Sequence, residues 1–470
     1  MHPAVAVAMV VVIVLMLLRP RKSIVVSLFL FIFLVPNGQQ LYLMGLHFHC
    51  RRILILFGCA RLLWSRLFQP GNTLAGGFNA VDGVFTVWAL YRALAGIFLF
   101  MQMGAVVNQL GFLWDALGMY FLLRFLIQDQ DDIERVFKVF AVIAVVIAAE
   151  MVQEHYTRQN LFGTILGGVR AVPEVRDGLV RAQAVFQHAL LAGSFGAALF
   201  PSFVWLWKSG RARVLATVGM ICSGIITLAA STSTPILAFV AGVGAICMWP
   251  LRRYLRFLRY GIVIALVALN LVMNAPVWFL IARIDVVGGS TSYHRAQLID
   301  LFVKHFGDWW LIGTNQNANW GWDMWDTANQ YVAEGERGGL VAFVCFLALI
   351  VLSFRNLAKA RMASEGDRNK QWFLWLLGAS LFSTCVAFLG VDYYDQTQFA
   401  WYGMLAMISA TTFQILGGKV LAEPQTDGNL VNSQLAPAFP SPDKQASDVF
   451  LYKSAQPFKP RSSYAGKLNK

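Results

Sequence analysis

Tyr260–Ala282 reads YGIVIALVALNLVMNAPVWFLIA, and Arg283–Arg337 reads RIDVVGGSTSYHRAQLIDLFVKHFGDWWLIGTNQNANWGWDMWDTANQYVAEGER. Gly338–Phe354 then reads GGLVAFVCFLALIVLSF. The outer two blocks are almost free of charge, and a bilayer core needs about 20 such residues per helix. The middle block is polar and holds five of the fifteen tryptophans: Trp309, Trp310, Trp320, Trp322 and Trp325. An extramembrane loop that collects Trp, Arg, His, Asp and Glu between two apolar segments is where chemistry is expected.

The rest of the chain repeats the pattern. It has 470 residues, 57% hydrophobic and only 13% charged, about half the charge of a soluble protein. Apolar segments lie near 3–18, 23–36, 42–64, 82–100, 106–127, 137–152, 187–207, 213–230, 233–250, 260–282, 338–354, 372–390 and 398–416. The third carries His47, His49, Arg51, Arg52 and Arg61 and reads equally as an interfacial segment. The fold class expected is all-α: a polytopic transmembrane bundle of 12–13 spans with a large outer loop containing amphipathic helices.

Basic residues set the orientation. The connections 124–138, 208–213, 252–259 and 355–370 are rich in Lys and Arg and fall on one side, assigned to the cytoplasm. The other side receives loops 153–186 and 283–337 and the short Val391–Asp395 turn. Residues 1–416 form the membrane unit, and 417–470, rich in Pro, Ser, Gln and Lys, read as a disordered cytoplasmic tail. The net charge of +13 therefore sets topology and does not imply nucleic acid as a partner. The N-terminus has no basic residue before its first apolar run and is not read as a cleaved signal peptide. No CxxC pair, glycine-rich phosphate loop or HExxH occurs, so no metal or cofactor is expected.

Within the large loop, Leu298, Ile299, Leu301, Phe302, Val303 and Phe306 recur at helical spacing, predicting an amphipathic helix over Ser290–Phe306. His294 and Arg295 stand near its start. The tryptophans read as interfacial anchors or as platforms for sugar rings. Arg92 and Asp115 lie on consecutive segments, each about 17 Å from the intervening turn at 1.5 Å per residue. Intramembrane charges pair, so an Arg92–Asp115 ion pair is expected, with a substrate or proton path as the other reading.

Several motifs follow one another in order: Arg181–His188 with Gly193, Ser231–Pro235, His294-Arg295, Trp310–Thr314, Asp326–Tyr331 and Gly338–Leu340. Together they resemble the outer loops of the O-antigen ligase and O-antigen polymerase superfamily over roughly residues 160–350. The resemblance implies a membrane glycosyltransferase of the bacterial inner membrane with its catalytic loops on the periplasmic side. Its donor would be an oligosaccharide on undecaprenyl diphosphate. Membrane lipids are its other partners, with a chain-length regulator or other polysaccharide-assembly proteins as protein partners.

In that chemistry charge grows on the departing diphosphate, and arginine forks suit it. Arg181 and Arg295 are the first choices, followed by Arg170, Arg176 and Arg337. Glu334, Glu336, Asp326 and His294 are candidates for a general base. His188, Trp309, Trp310, Asn329 and Tyr331 complete the expected substrate-binding set. The family's histidine before Asn is Ala328 here, so its base role is not carried over. A polymerase of exopolysaccharide or O-antigen is favoured over a ligase. A transporter or flippase, and an assembly scaffold, are the readings of other classes.

Overall fold

The computed structural model describes residues 1–43, 46–68, 74–283 and 292–420. The expected tail therefore lies almost wholly outside the described residues, as do Ser290 and Thr291 at the start of the predicted loop helix. The order is α1 (Pro3–Leu18), α2 (Arg21–Leu34), β1 (Gln40–Leu43), β2 (Leu46–His49), α3 (Cys50–Phe68), α4 (Ala80–Phe100), α5 (Met103–Leu113), α6 (Met119–Leu126) and α7 (Gln130–Thr157). Then come β3 (Glu174–Arg176), β4 (Leu179–Arg181), α8 (Ala189–Lys208), α9 (Arg213–Ala229), α10 (Ser233–Cys247), α11 (Leu255–Val272), α12 (Ser292–Lys304) and α13 (Phe306–Trp309). The last three are α14 (Gln330–Ala363), α15 (Arg368–Ala387) and α16 (Gln396–Val420), the last running through the boundary expected at 416.

Among the described residues, seven stretches are helical, long and apolar enough to cross a membrane: α4, the α5–α6 rod, α7, α8, α11, α14 and the Gln396–Gly417 part of α16. The fold is thus helical and compatible with a multi-pass membrane protein. The expected 12–13 spans are not matched one for one. Helices α1, α9 and α10 are apolar but have only 16, 17 and 15 residues, and at 1.5 Å per residue each falls short of an approximately 30 Å core. The segment 42–64 is half hairpin and half α3.

Local signals start and stop the long helices. Asn79 and Asp82 form a reciprocal capping box on α4. Asp129 accepts from Asp132 N to open α7, and Arg158 in the left-handed region closes it. In the β3–β4 hairpin the Asp177-Gly178 pair supplies two positive φ values, 51° and 78°, as a tight hairpin turn requires. Glu154 on α7 then ties this loop down, accepting from Gln183 N at 2.9 Å, Ala184 N at 2.6 Å and Asn160 Nδ2 at 2.7 Å.

The bundle has two chemically distinct ends. At one end Gln187 N donates to Asp395 at 2.8 Å, and Gln39 donates to Leu166 O at 2.7 Å. There the 153–187 loop, the 391–395 turn and the hairpin before α3 meet. At the other end Arg21 pairs with Asp132 at 3.1 Å and Arg211 with Glu134 at 3.1 Å. The connections 124–138 and 208–213 thus gather together, as their basic residues led one to expect, and 19–22 joins them.

The large loop joins the bundle where α14 kinks. Gly338 and Gly339 leave helical geometry, with Gly339 at φ 65°. Leu340 N donates to Trp310 O and Thr314 N to Glu336 O, both at 2.8 Å. Gly313, at φ 90°, lets the Trp310–Thr314 turn come this close; a Cβ there would collide with Glu336 O. Helix α12 occupies the place predicted for the amphipathic helix. Its Leu298 and Phe302 join Trp309, Trp320, Met324 and Val332 in a second, smaller apolar core. Two of the five loop tryptophans are therefore core residues, while Trp310, Trp322 and Trp325 are exposed.

The expected Arg92–Asp115 pair does not form. Arg92 pairs with Glu334 at 3.1 Å, and Asp115 pairs with Arg51 at 3.3 Å and Arg52 at 3.0 Å. Helix α4 packs along α14, which puts Arg92 against the α14 kink. Tyr91 OH donates to Leu311 O at 2.8 Å, and a Cβ on Gly338 would lie 3.3 Å from Arg92 Cα. Glu334 is therefore nearer to Arg92 than Asp115 is. A π-helical turn over Trp114–Gly118 separates α5 from α6, and Asp115 on it reaches α3 instead.

Candidate functional site

The site is built around Arg295. It lies on α12, is 7% exposed, and its Nε has no hydrogen-bond partner. A Cβ placed on Gly390 would stand 3.2 Å from that Nε and closer still to Thr234 Oγ1. Arg295 thus rests on the glycine that ends the α15 side of the 391–395 turn and beside the first turn of α10. Thr232, the N-cap of α10, makes no capping bond, and its buried Oγ1 is unpartnered. A helix N-terminus with a buried guanidinium beside it is suited to an anion.

Further cations face the same place. Burial, then the Arg181 charge, pushes the Arg295 guanidinium down to about 10; Asp326 opposes this and Arg176 adds to it. Arg295 therefore remains a cation at neutral pH, held there against two other cations. Arg181, at the end of β4, pairs with Glu174 across the hairpin at 3.1 Å. Arg176 stands 3.9 Å from Asp177, and Arg170 is exposed.

His188 caps α8: its Nδ1 accepts from Leu190 N at 3.1 Å, and its Nε2 stands 3.6 Å from Glu174. Burial, then the Arg181 charge, lowers its pKa, with Glu174 opposing. His188 is thus a largely neutral, hydrogen-bonding member of the rim. Asp326 is exposed, and its charge bears on Arg295, His188 and Tyr394. Its backbone carbonyl is 3.2 Å from His294 Nε2. Arg170, Arg176, Arg181, His188, His294, Arg295 and Asp326 therefore lie close to one another, near the 391–395 turn.

The other expected site residues lie elsewhere or are occupied. Glu334 is fully buried and takes Arg92 at 3.1 Å, Trp88 Nε1 at 2.8 Å and Gln330 Nε2 at 2.7 Å. Glu336 accepts from Thr327 at 2.6 Å and from Asn317 at 3.2 Å. Arg337 forms a fork with Asp392. Asn329 caps α14 by accepting from Tyr331 N at 2.9 Å, and Tyr331 OH donates to Cys385 O at 3.0 Å. Trp309 stacks on Phe302 with 3.9 Å between ring centroids, whereas Trp310 is exposed beside the kink.

Sequence reasoning left out Thr232, Thr234, Glu174 and Tyr394. The Ser231–Pro235 break carried a signal for the two threonines. Glu174 was signalled only by its cross-strand position to Arg181, which becomes visible once Asp177-Gly178 is read as a hairpin turn. Among the described residues no group of three His, Cys, Asp or Glu side chains is placed to hold a metal ion. No known family model matches the chain, and no curated protein matches it in sequence.

Proposed function

We propose that this chain is an integral membrane glycosyltransferase that elongates a polysaccharide from lipid-diphosphate-linked repeat units. The motif resemblance suggests undecaprenyl diphosphate as the carrier and the periplasmic face of a bacterial inner membrane as the place. The observation that carries the reading is the buried, unpartnered Arg295 beside Arg181 and the start of α10. A buried cation that makes no ion pair among the described residues has a reason to receive an anion there.

In the proposed reaction the acceptor hydroxyl oxygen attacks the anomeric carbon of the donor glycan. The bond from that carbon to the diphosphate oxygen breaks, and its electron pair leaves with the lipid diphosphate. Arg295 and Arg181 stabilise the charge that grows on that oxygen. The hydroxyl proton passes to Asp326 directly or through water, since Asp326 is the candidate carboxylate of this group that is exposed and has no ion pair. Glu334 and Glu336 serve the architecture in this account, because their oxygens are already engaged.

The test is chain growth from a labelled lipid-diphosphate-linked repeat unit by the purified protein in lipid nanodiscs. Wild type extends the glycan without added lipid A-core. Arg295→Ala lowers the rate by about 100- to 1000-fold, the usual cost of one transition-state donor. Transfer only when lipid A-core is supplied would replace the polymerase with the ligase, and proton-coupled uptake without transfer would replace both with a transporter.

A further inference from the structure

A second cationic cluster stands on α3, on the far side of the turn that touches Arg295. Arg51 and Arg52 share one carboxylate, Asp115. Arg52 takes it with Nε at 3.1 Å and Nη2 at 3.0 Å, and its Nη1 makes no hydrogen bond. Arg51 reaches Asp115 with Nη2 alone at 3.3 Å, leaving Nε and Nη1 buried and unpartnered. Neighbouring groups supply only part of the missing counter-charge. Burial, then Arg51, holds His49 down to about 4, so it is neutral. Asp395 is pushed up to about 7 by burial, and its oxygens already accept from Gln187 N at 2.8 Å and Thr397 N at 3.2 Å.

We infer that Arg51 and Arg52 form a second phosphate site, which holds the lipid-linked acceptor by its phosphate while Arg295 holds the donor. This rests on the glycosyl transfer proposed above. Joining two lipid-linked units brings two lipid phosphates to one cleft, and the chain carries two separate sets of under-compensated arginines at that end. The Gly390–Asp395 segment links them: Gly390 abuts Arg295, and Asp395 lies within the field of Arg51.

The surroundings favour a lipid phosphate over a free one. Arg52 packs flat on Gly111 of α5, and its carbonyl accepts from Trp114 Nε1 at 3.1 Å. The same flank exposes Leu56, Val107, Leu110 and Trp114. An acyl or prenyl chain can lie on that apolar surface with its phosphate against the arginines. The π-helical turn at Trp114–Gly118 turns Asp115 toward α3 and so holds both guanidinium groups in place.

The experiment uses the full chain in phosphatidylcholine nanodiscs, a labelled lipid-linked donor, and two acceptors. One acceptor is the diphospholipid-linked repeat unit, the other the same glycan released from lipid. The variant Arg51→Gln/Arg52→Gln/Asp115→Asn removes the cluster while leaving it neutral. Its KM for the lipid-linked acceptor rises about tenfold or more, as expected for lost charge-assisted bonds. Its kcat with the lipid-free acceptor stays at the wild-type value. Arg52→Gln, which keeps the Arg51–Asp115 pair, shows the same split in weaker form and serves if the triple variant unfolds.

Equal loss with both acceptors, or loss with neither, overturns the second site while the donor reading stands. Absence of transfer in wild type with either acceptor removes the transfer reading and the second site with it. Replacing half the phosphatidylcholine with phosphatidylglycerol leaves the wild-type KM unchanged. A rise in wild type that the variant lacks would assign the site to bulk anionic headgroups and overturn the acceptor.

Discussion

Arg124 lies wholly inside the bundle and Arg295 almost so, yet among the described residues only Arg124 forms an ion pair. Its Nε and Nη2 bond both oxygens of Asp82 at 2.9 and 3.1 Å, and Nη2 also reaches Gly77 O at 3.0 Å. Tyr120 OH donates to the same carboxylate at 2.6 Å. Asp82 in turn completes the capping box of α4, so the helix start, the ion pair and the tyrosine form one unit, with only Arg124 Nη1 left without a partner in it. Arg295 has no such unit. A buried cation paired with an internal carboxylate is architecture. A buried cation without one is held by the fold for something that arrives.

The comparison breaks first at Arg124. Arg124→Ala leaves Asp82 buried and uncompensated and should cost about 3–5 kcal/mol, read by denaturation in detergent. Adding Asp82→Asn should restore part of the loss. Arg295→Ala should do the reverse: transfer falls by about 100- to 1000-fold, while the melting temperature holds or rises because the repulsion from the Arg181 charge is gone. If both substitutions unfold the chain equally, the distinction fails.

Smaller effects sharpen it. Asn329→Ala removes the cap of α14 and should lower stability by about 1 kcal/mol without changing the affinity for substrate, since Asn329 faces backbone. For Asp395 the sign follows from burial. Its folded pKa, about 7, is raised above the ordinary carboxylate value. The folded state therefore holds its proton more tightly, and stability falls as pH rises from about 4 to 7. Melting curves across that range should show the decline, and Asp395→Asn should lessen it, with buried Glu336, also raised to about 7, carrying part of the rest.

Much of the architecture was legible because apolar runs and basic connections are both written in composition. The loop helix could be read from the spacing of Leu298 and Phe302, and the arginines named from the loops 153–186 and 283–337 include the Arg181, Arg176 and Arg295 that act on one another. Pairing was harder. Arg92 and Asp115 sit on one hairpin, and the simplest inference joined them. Their true partners, Glu334 and Arg51 with Arg52, come from helices distant in sequence. A span count from hydropathy also does not see that a segment such as 42–64 divides into a hairpin and α3. The fate of Glu334, sealed against Arg92, could not be read from its place in a polar loop.

The central claim is that Arg295 receives a lipid diphosphate. It is tested most directly by titrating an undecaprenyl-diphosphate-linked glycan onto the protein in neutral nanodiscs, comparing wild type, Arg295→Ala and Arg337→Ala. Wild type and Arg337→Ala should bind with similar affinity, since Arg337 is already committed to Asp392, and Arg295→Ala should bind at least tenfold more weakly. Undiminished binding by Arg295→Ala would contradict the account.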